Sequence, residues 1–245
     1  MTDESPARVL IAGASGDTGT ELLAVLRPTE FTVRATTRSY TNVEQLQRLG
    51  ADEVVVADFF KSGDSVAAVE DCDIVCCALG TPPSYRHTVG GKLVDRTGVS
   101  NLLTAAVSEG VSHFVHQSAI GVGSSKAGLP LPARLVIRGS LKAKHDAETA
   151  IRRSEIDYTI VRPGKLTNEP PSGDIVVGEG GDSVSGSISR ADVARVMAAA
   201  PFTGDARNRT LEVVNRGGLS GPPKRVVDVD WAFDRINADP DRMRL

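Results

Sequence analysis

The stretch VLIAGASGDTGTELLAVL at residues 9–26 decides the fold. Its first four residues form a short apolar run that predicts a strand, and apolar residues recur at helical spacing after Gly19. Between the two lie Gly13, Gly16 and Gly19, in a G-x-x-G-x-x-G pattern. Such a turn lets the backbone approach a pyrophosphate, and the helix that follows points free N–H groups and the positive end of its dipole at it. We predict a strand, a turn and a helix that bind a dinucleotide; a glycine-rich turn without a ligand is the alternative.

The composition is that of one large α/β domain. The chain has 245 residues, 40% of them hydrophobic, which is enough for a core that folds alone. A net charge of −3 offers no basic surface for nucleic acid. We expect Cys72, Cys76 and Cys77 to be buried reduced thiols, and the four scattered histidines form no metal site. With no secretory signal and no apolar run near eighteen residues, we expect a cytoplasmic protein without a membrane segment.

Strand and helix patterns alternate as far as Ser118. This alternation predicts a Rossmann-like, doubly wound parallel sheet with helices on both faces. We assign 8–215 to this domain and 216–245 to a C-terminal extension that forms a small lobe on the substrate side. In such sheets ligands bind beyond the carboxyl ends of the strands. The candidate residues at those ends are Gly13, Arg38, Asp58, Gly80 and Ser118.

The residue after the second predicted strand indicates which cofactor binds. A carboxylate in this region typically accepts from the ribose 2′-hydroxyl of NAD, whereas Arg38 offers a planar fork to a 2′-phosphate. No acidic residue lies between Thr32 and Asn42, so we favour NADP over NAD. Asp17 would oppose NADP if it faced that phosphate; alternatively it faces solvent or caps the helix that begins at Thr18.

Further cofactor contacts are expected from the glycine turn and from the strand ends. Asp58 follows a strand of valines, where it meets the adenine amine or caps the next turn. Gly80 avoids a clash beside a ribose of the cofactor. The predicted contacts, besides those already named, are Ser15, Thr18, Ser39, Ala78 and Leu79.

Several segments together resemble a known family. They are Gly13–Gly19, Arg38-Ser39, Lys144–Glu148, YTIVRPG at 158–164 and SRADVA at 189–194. The chain resembles the atypical short-chain dehydrogenase/reductases over roughly residues 9–214, and is most similar to the NAD(P)H-binding, NmrA-like branch. The resemblance implies a Rossmann-like sheet, with Arg162, Pro163 and Gly164 on the nicotinamide side of the cofactor.

The chain departs from the Tyr-dependent members of that superfamily. Those enzymes use Y-x-x-x-K, but the residue four positions before Lys144 is Ser140, whose hydroxyl titrates too high to replace a phenol. Tyr158 lies in the following strand, with its ring expected in the core. Lys144 is therefore carried over as a contact of the cofactor ribose, with Glu148 as a candidate i,i+4 partner; a solvated helix lysine is the alternative.

Two residues remain candidates for catalysis, Lys144 and Ser118. Ser118 matches the serine position of the family, although a serine at a strand end also commonly bonds to backbone groups. In the loop after Pro82-Pro83, Tyr85 and His87 are possible donors to a substrate.

These residues favour an NADPH-dependent oxidoreductase that acts on a planar or conjugated acceptor without a Tyr–Lys proton relay. The alternative is a non-catalytic NADP(H)-binding module, a redox sensor or a partner-binding protein. A nucleotide-sugar epimerase is less favoured, because the Tyr and a long C-terminal substrate domain are lacking. The sequence names neither the small-molecule substrate nor the oligomeric state.

Overall fold

The computed structural model describes residues 6–81, 93–125 and 138–236. The strands of this part are β1 (Arg8–Ala12), β2 (Thr32–Thr37), β3 (Glu53–Val56), β4 (Ile74–Cys77), β5 (His113–Gln117), β6 (Asp157–Pro163), β7 (Lys165–Thr167), β8 (Ile175–Glu179), β9 (Ser187–Ser189) and β10 (Arg209–Asn215). The α-helices are α1 (Asp17–Leu26), α2 (Val43–Leu49), α3 (Ser62–Val69), α4 (Val99–Ser108), α5 (Arg138–Arg153) and α6 (Arg190–Ala199).

The main sheet confirms the predicted Rossmann-like fold. Its strand order is β3-β2-β1-β4-β5-β6-β10-β8, and every pairing is parallel except that of β8 with β10 at the edge. From β1 the chain winds outward to β3, and from β4 it winds outward in the opposite direction. The order therefore reverses between β1 and β4, and ligands bind at such a switch point.

Helices cover both faces of the sheet. Side chains alternate between the two faces along each strand, so each face packs against its own set of helices. Val9 and Ile11 of β1 pack in a cluster with buried residues of α1, α2 and α6. Leu10 and Ala12 pack on the other face, in a cluster with α3, α4 and α5. The strands are consequently apolar on both sides, as the valine- and isoleucine-rich runs predicted.

The C-terminal extension lies against the first of these clusters as far as the structure describes it. Its partly buried side chains there are Val227, Val229, Trp231 and Phe233. The Arg195 guanidinium of α6 lies 4.7 Å from the centre of the Phe233 ring. These contacts attach the extension to the α6 side of the domain.

The structure differs from the sequence prediction in its short elements. Strands β7 and β9 form a separate two-stranded parallel sheet that was not predicted, because three residues are too few for a periodic signal. The sequence pattern predicts a single helix over 93–109, but Val94–Gly98 form a π-helical turn before α4 begins. This turn matters for the site, because it carries Asp95.

The three cysteines are buried free thiols, as predicted. Burial raises the pKa of Cys72 to about 11 and the pKa values of Cys76 and Cys77 to about 12. At neutral pH all three are protonated and unreactive.

Candidate cofactor site

The three glycines of the first turn have different structural roles. Gly13 has φ of +88°, and a Cβ there would lie 2.9 Å from the carbonyl oxygen of Ala78. A Cβ on Gly19 would overlap the carbonyl oxygen of Gly13, so this glycine lets α1 pack on the turn. Gly16 differs, because a Cβ there would meet only the Gly13 oxygen, at 3.4 Å. Gly16 therefore faces open space, as an approaching ligand requires.

A cleft of about 270 Å³ opens above this turn, at the switch point of the sheet. Gly16 is the N-cap of α1 with extended backbone, so the first N–H groups of the helix, which have no intrahelical partner, point toward the cleft. The cleft is lined by Gly13, Ser15, Gly16, Thr36, Thr37, Arg38, Ala57, Asp58, Phe59, Ala78, Leu79, Gly80 and Val94. An open glycine, a helix N-terminus and an apolar wall fit a dinucleotide. Thr18 and Gly19 are buried and do not line the cleft.

Arg38 lines the cleft directly after the carboxyl end of β2. Its side chain is exposed, and it forms no hydrogen bond or ion pair with the residues that the structure describes. The guanidinium is therefore available for a ligand. Ser39 is not part of the lining; its hydroxyl caps the turn at Tyr40–Asn42 by accepting from the backbone N–H of Thr41 at 3.3 Å.

The structure gives the positions of Asp17 and Asp58, two acidic residues for which the sequence allowed alternative roles. Asp17 Oδ2 lies 3.3 Å from a guanidinium nitrogen of Arg190, at the start of α6, and Asp17 does not line the cleft. The carboxylate is thus turned toward α6. Asp58 caps the next turn, since its Oδ1 accepts from the backbone N–H of Phe60 at 3.1 Å, and it also lines the cleft. Its contact with the adenine stays a prediction.

The structure contradicts the predicted pairing of Lys144 with Glu148. Lys144 Nζ instead lies 3.0 Å from Asp95 Oδ1 and donates to the carbonyl oxygen of Gln117 at 3.3 Å. Asp95 is fully buried, and its Oδ2 accepts from the backbone N–H of Thr81 at 2.8 Å.

Sequence analysis missed Asp95, although a signal was present. In the predicted helix it is placed one turn before Val99 and two turns before Leu102, on the apolar face. A carboxylate on a buried helix face needs a charged partner.

Glu148 is the centre of a separate buried network. Arg162 donates to both of its carboxylate oxygens, at 2.9 and 2.7 Å, and Arg152 donates to Oε2 at 3.1 Å. The Ser118 hydroxyl donates to Oε1 at 2.6 Å. Burial alone would raise the pKa of Glu148, but the bonds and charge of Arg162 and the bond from Ser118 outweigh it and lower that pKa. The Ser118 hydroxyl is thus engaged as a donor to the Glu148 carboxylate.

This network also holds the Arg162 side chain, whose contact on the nicotinamide side stays a prediction. Its guanidinium is bound to Glu148, and it borders a second cavity, of about 440 Å³, between α5 and the β8–β10 edge. Tyr158 borders the same cavity from the amino-terminal end of β6. Pro163 and Gly164 stay at the carboxyl end of β6, where a Cβ on Gly164 would overlap the Gly186 carbonyl oxygen. Tyr85 and His87 lie outside the described residues.

Across the described parts of the chain, no three His, Cys, Asp or Glu side chains are grouped so that they could hold a metal ion. A search of the same parts finds no helix that is long and apolar enough to cross a membrane.

The fold and the cleft define a dinucleotide-binding protein of the Rossmann class. The family described as NAD(P)H-binding matches residues 13–202, so the chain belongs to this family. Among its relatives is the uncharacterized chloroplastic protein At2g34460 of Arabidopsis thaliana, which is 36% identical over 89% of this chain and 79% of its own length. This membership agrees with the resemblance to the atypical short-chain dehydrogenase/reductases.

Solved structures have the same architecture. A putative NAD-dependent epimerase/dehydratase from Bacillus halodurans has a TM-score of 0.76 at 30% identity, covering 89% of this chain and 96% of its own. A short-chain dehydrogenase/reductase from Veillonella parvula in complex with NADP has a TM-score of 0.65 at 19% identity, covering 89% and 98%. At that identity the second likeness shows the fold alone.

Proposed function

We propose that the chain is an NADPH-dependent oxidoreductase that reduces a planar, conjugated acceptor without a Tyr–Lys proton relay. The observation that carries this proposal is the state of Lys144. A Tyr-dependent reductase needs the positive charge of the lysine to lower the pKa of a phenol. Here Asp95 pairs with Lys144 at 3.0 Å, and the position one turn before Lys144 on α5 holds Ser140.

The binding part of the proposal rests on the glycine-turn cleft. The N–H groups of the first turn of α1 hold the pyrophosphate, Arg38 binds the 2′-phosphate, and Asp58 meets the adenine. Because Asp17 is turned toward Arg190, it does not repel that phosphate. NADP is therefore preferred to NAD. Lys144 donates to the ribose next to the nicotinamide, and Ala78, Leu79 and Gly80 form the wall beside it.

Bound NADPH supplies the hydride. A flavin, a quinone or another conjugated acceptor spreads the resulting charge, and solvent protonates it, so no side chain has to donate a proton at the reacting carbon. The described candidates for a donor are committed to other contacts: Ser118 donates to Glu148, and Lys144 faces Asp95 and Gln117. A simple ketone lacks this delocalisation and needs a proton donor, so we expect turnover of conjugated acceptors and not of simple ketones.

A non-catalytic NADP(H)-binding module is the second candidate, and the same commitment of Ser118 and Lys144 favours it. A sensor needs the cleft and Arg38 but no proton donor. A nucleotide-sugar epimerase is less favoured, although the similar Bacillus halodurans chain carries that name. Its reversible oxidation of a sugar alcohol would need the phenol that Ser140 replaces.

The test is to measure NADPH oxidation by the purified protein with a flavin, a quinone, a linear tetrapyrrole and a simple ketone, alongside NADPH binding by calorimetry. We expect turnover of at least one conjugated acceptor and none of the ketone. Ser140→Ala should change that turnover less than tenfold, which is under about 1.4 kcal/mol of activation free energy. A loss of a hundredfold at saturating NADPH would make Ser140 a proton donor, and tight binding without any turnover would select the non-catalytic module.

The cytoplasmic location stays a proposal as well. The Arabidopsis relative carries a chloroplastic name, which describes that protein. Microscopy of a fluorescent fusion in the source cell tests the location, and a signal confined to a membrane or an organelle would contradict it.

A further inference from the structure

Asp95 joins two parts of the site that are far apart in the chain. Its Oδ2 accepts from the backbone N–H of Thr81, which directly follows the cleft residue Gly80. Its Oδ1 lies 3.0 Å from Nζ of Lys144 on α5 and accepts no directed hydrogen bond within the described residues. The carboxylate thus links the wall after β4 to the lysine by a contact that is mainly electrostatic.

Asp95 itself does not reach the surface of the site. Its side chain has no exposed area, whereas that of Lys144 keeps 13%. Any effect of Asp95 on a bound cofactor must therefore pass through Lys144 or through the Gly80–Thr81 backbone.

The Lys144 ammonium has one N–H group that is free for a ligand. It carries three N–H groups; one donates to the Gln117 carbonyl and a second faces Asp95. The third has no partner in the described structure. Two anchors fix where the third N–H points, whereas a lysine on its four-carbon stem would otherwise sample many rotamers.

No other described group near Lys144 is available to pair with its ammonium, apart from Asp95. The fully buried ring of His116 faces the pair, and burial lowers its pKa to about 3, so that it stays neutral. Glu148 is already bound by Arg162 and Arg152. Within the described residues, Asp95 is the carboxylate that balances the charge of Lys144.

We propose that Asp95 is a positioning residue for the cofactor. It orients the free N–H of Lys144 toward the ribose next to the nicotinamide and locks the lysine to the Gly80–Thr81 wall. This inference rests on the proposed function, because the ribose contact of Lys144 is part of that proposal.

A double-mutant cycle tests it, with affinities measured by calorimetry. Asp95→Asn retains an oxygen for the Thr81 N–H but removes the charge facing Lys144. We expect it to weaken NADPH and NADH by the same factor, roughly tenfold, since both carry this ribose. Adenosine 2′,5′-bisphosphate, which has the adenosine half alone, should bind as tightly as to the wild type. Lys144→Met should show the same pattern, and Asp95→Asn/Lys144→Met should bind NADPH no more weakly than Lys144→Met.

Asp146→Asn is the matched control. It removes the same charge two residues after Lys144, where Asp146 lies 3.6 Å from Arg96, and it should bind NADPH like the wild type. Three results would overturn the inference: unchanged NADPH affinity in Asp95→Asn, losses that multiply to roughly a hundredfold in the double variant, or an equal loss of the adenosine probe.

The proposed function fails separately, if the wild type binds neither NADPH nor the adenosine probe. Asp95→Asn leaves the Lys144 ammonium unpaired, and Lys144→Met leaves the fully buried Asp95 carboxylate unpaired, so circular dichroism checks the folding of both variants. If neither folds, the double variant, which buries no unpaired charge, is compared with the wild type. It should bind NADPH roughly tenfold more weakly and the adenosine probe as tightly, and an unchanged NADPH affinity would overturn the inference.

Discussion

Arg38 has an exposed guanidinium at the cleft and no partner among the described residues, so it is available for a ligand phosphate. A charge-assisted bidentate contact is worth on the order of 1.5–3 kcal/mol. We therefore expect Arg38→Ala to weaken NADPH binding by roughly ten- to a hundredfold and to leave NADH nearly unchanged. Calorimetric titration of both cofactors measures the two affinities.

Two further variants complete the Arg38 experiment. Arg48→Ala removes an equally exposed arginine of α2 and should change neither affinity. Asp17→Asn should also leave NADPH binding as it is, because the Asp17 carboxylate faces Arg190. Equal losses of NADPH and NADH in Arg38→Ala would refute the 2′-phosphate assignment, and tighter NADPH binding in Asp17→Asn would place Asp17 at the phosphate.

At the scale of elements, the glycines of the β1–α1 unit have two different roles. Gly13 and Gly19 are needed for the fold, whereas Gly16 leaves room for a ligand. Gly16 has φ of −87° and ψ of 166°, a conformation that valine adopts without strain. We expect Gly16→Val to fold and to lose dinucleotide binding, because its side chain fills the space left for the pyrophosphate. Gly19→Val should instead fail to fold, since even a Cβ overlaps the Gly13 carbonyl oxygen.

Circular dichroism and thermal unfolding measure the folding of these variants, and calorimetry measures NADPH binding. Gly63→Val is the control for adding a valine near a helix start, because nothing lies within 4 Å of a Cβ there. Undiminished NADPH binding by a folded Gly16→Val protein would remove the glycine turn from the site.

The sequence predicted elements well where a pattern is long and local. The β1–α1 unit and the alternation up to Ser118 follow from periodicity. The strand-end rule correctly placed Gly13, Arg38, Asp58 and Gly80 in one cleft, but Ser118 does not line it and donates to Glu148 instead. The predicted ion pair of Lys144 with Glu148 was wrong, because the i,i+4 rule considers only partners on the same helix. The actual partner, Asp95, comes from a π-helical turn, and the partner expected for Lys144 is bound by Arg162 of β6.

At the scale of the whole molecule, the sheet gathers buried polar groups where β5 and β6 meet α5. Glu148 and Arg162 each cost free energy on leaving water and are tolerated because they bind each other with two hydrogen bonds. Within the described residues, the histidines of β5 have no ion pair. His113 contacts the Thr159 hydroxyl at 3.0 Å, and neither ring nitrogen of His116 has a partner in the described structure.

These two histidines give the folded chain a stability that depends on pH. Burial lowers the pKa of His113 to about 4 and that of His116 to about 3, from an ordinary value of 6.5. Below pH 6.5 the unfolded chain binds protons that the folded chain excludes, so stability is complete above that pH and is lost as the pH falls. Between pH 7.5 and 5.5 each histidine should remove about 1.4 kcal/mol from the free energy of unfolding. Carboxylates such as Glu148, whose pKa is lowered, change the stability only at a pH below this range.

Urea unfolding at pH 7.5 and 5.5 measures the loss of stability. We expect His116→Leu to lose about half as much as the wild type, and His145→Gln, at an exposed position, to lose as much as the wild type. An equal loss in His116→Leu and the wild type would show that His116 is not buried as a neutral ring.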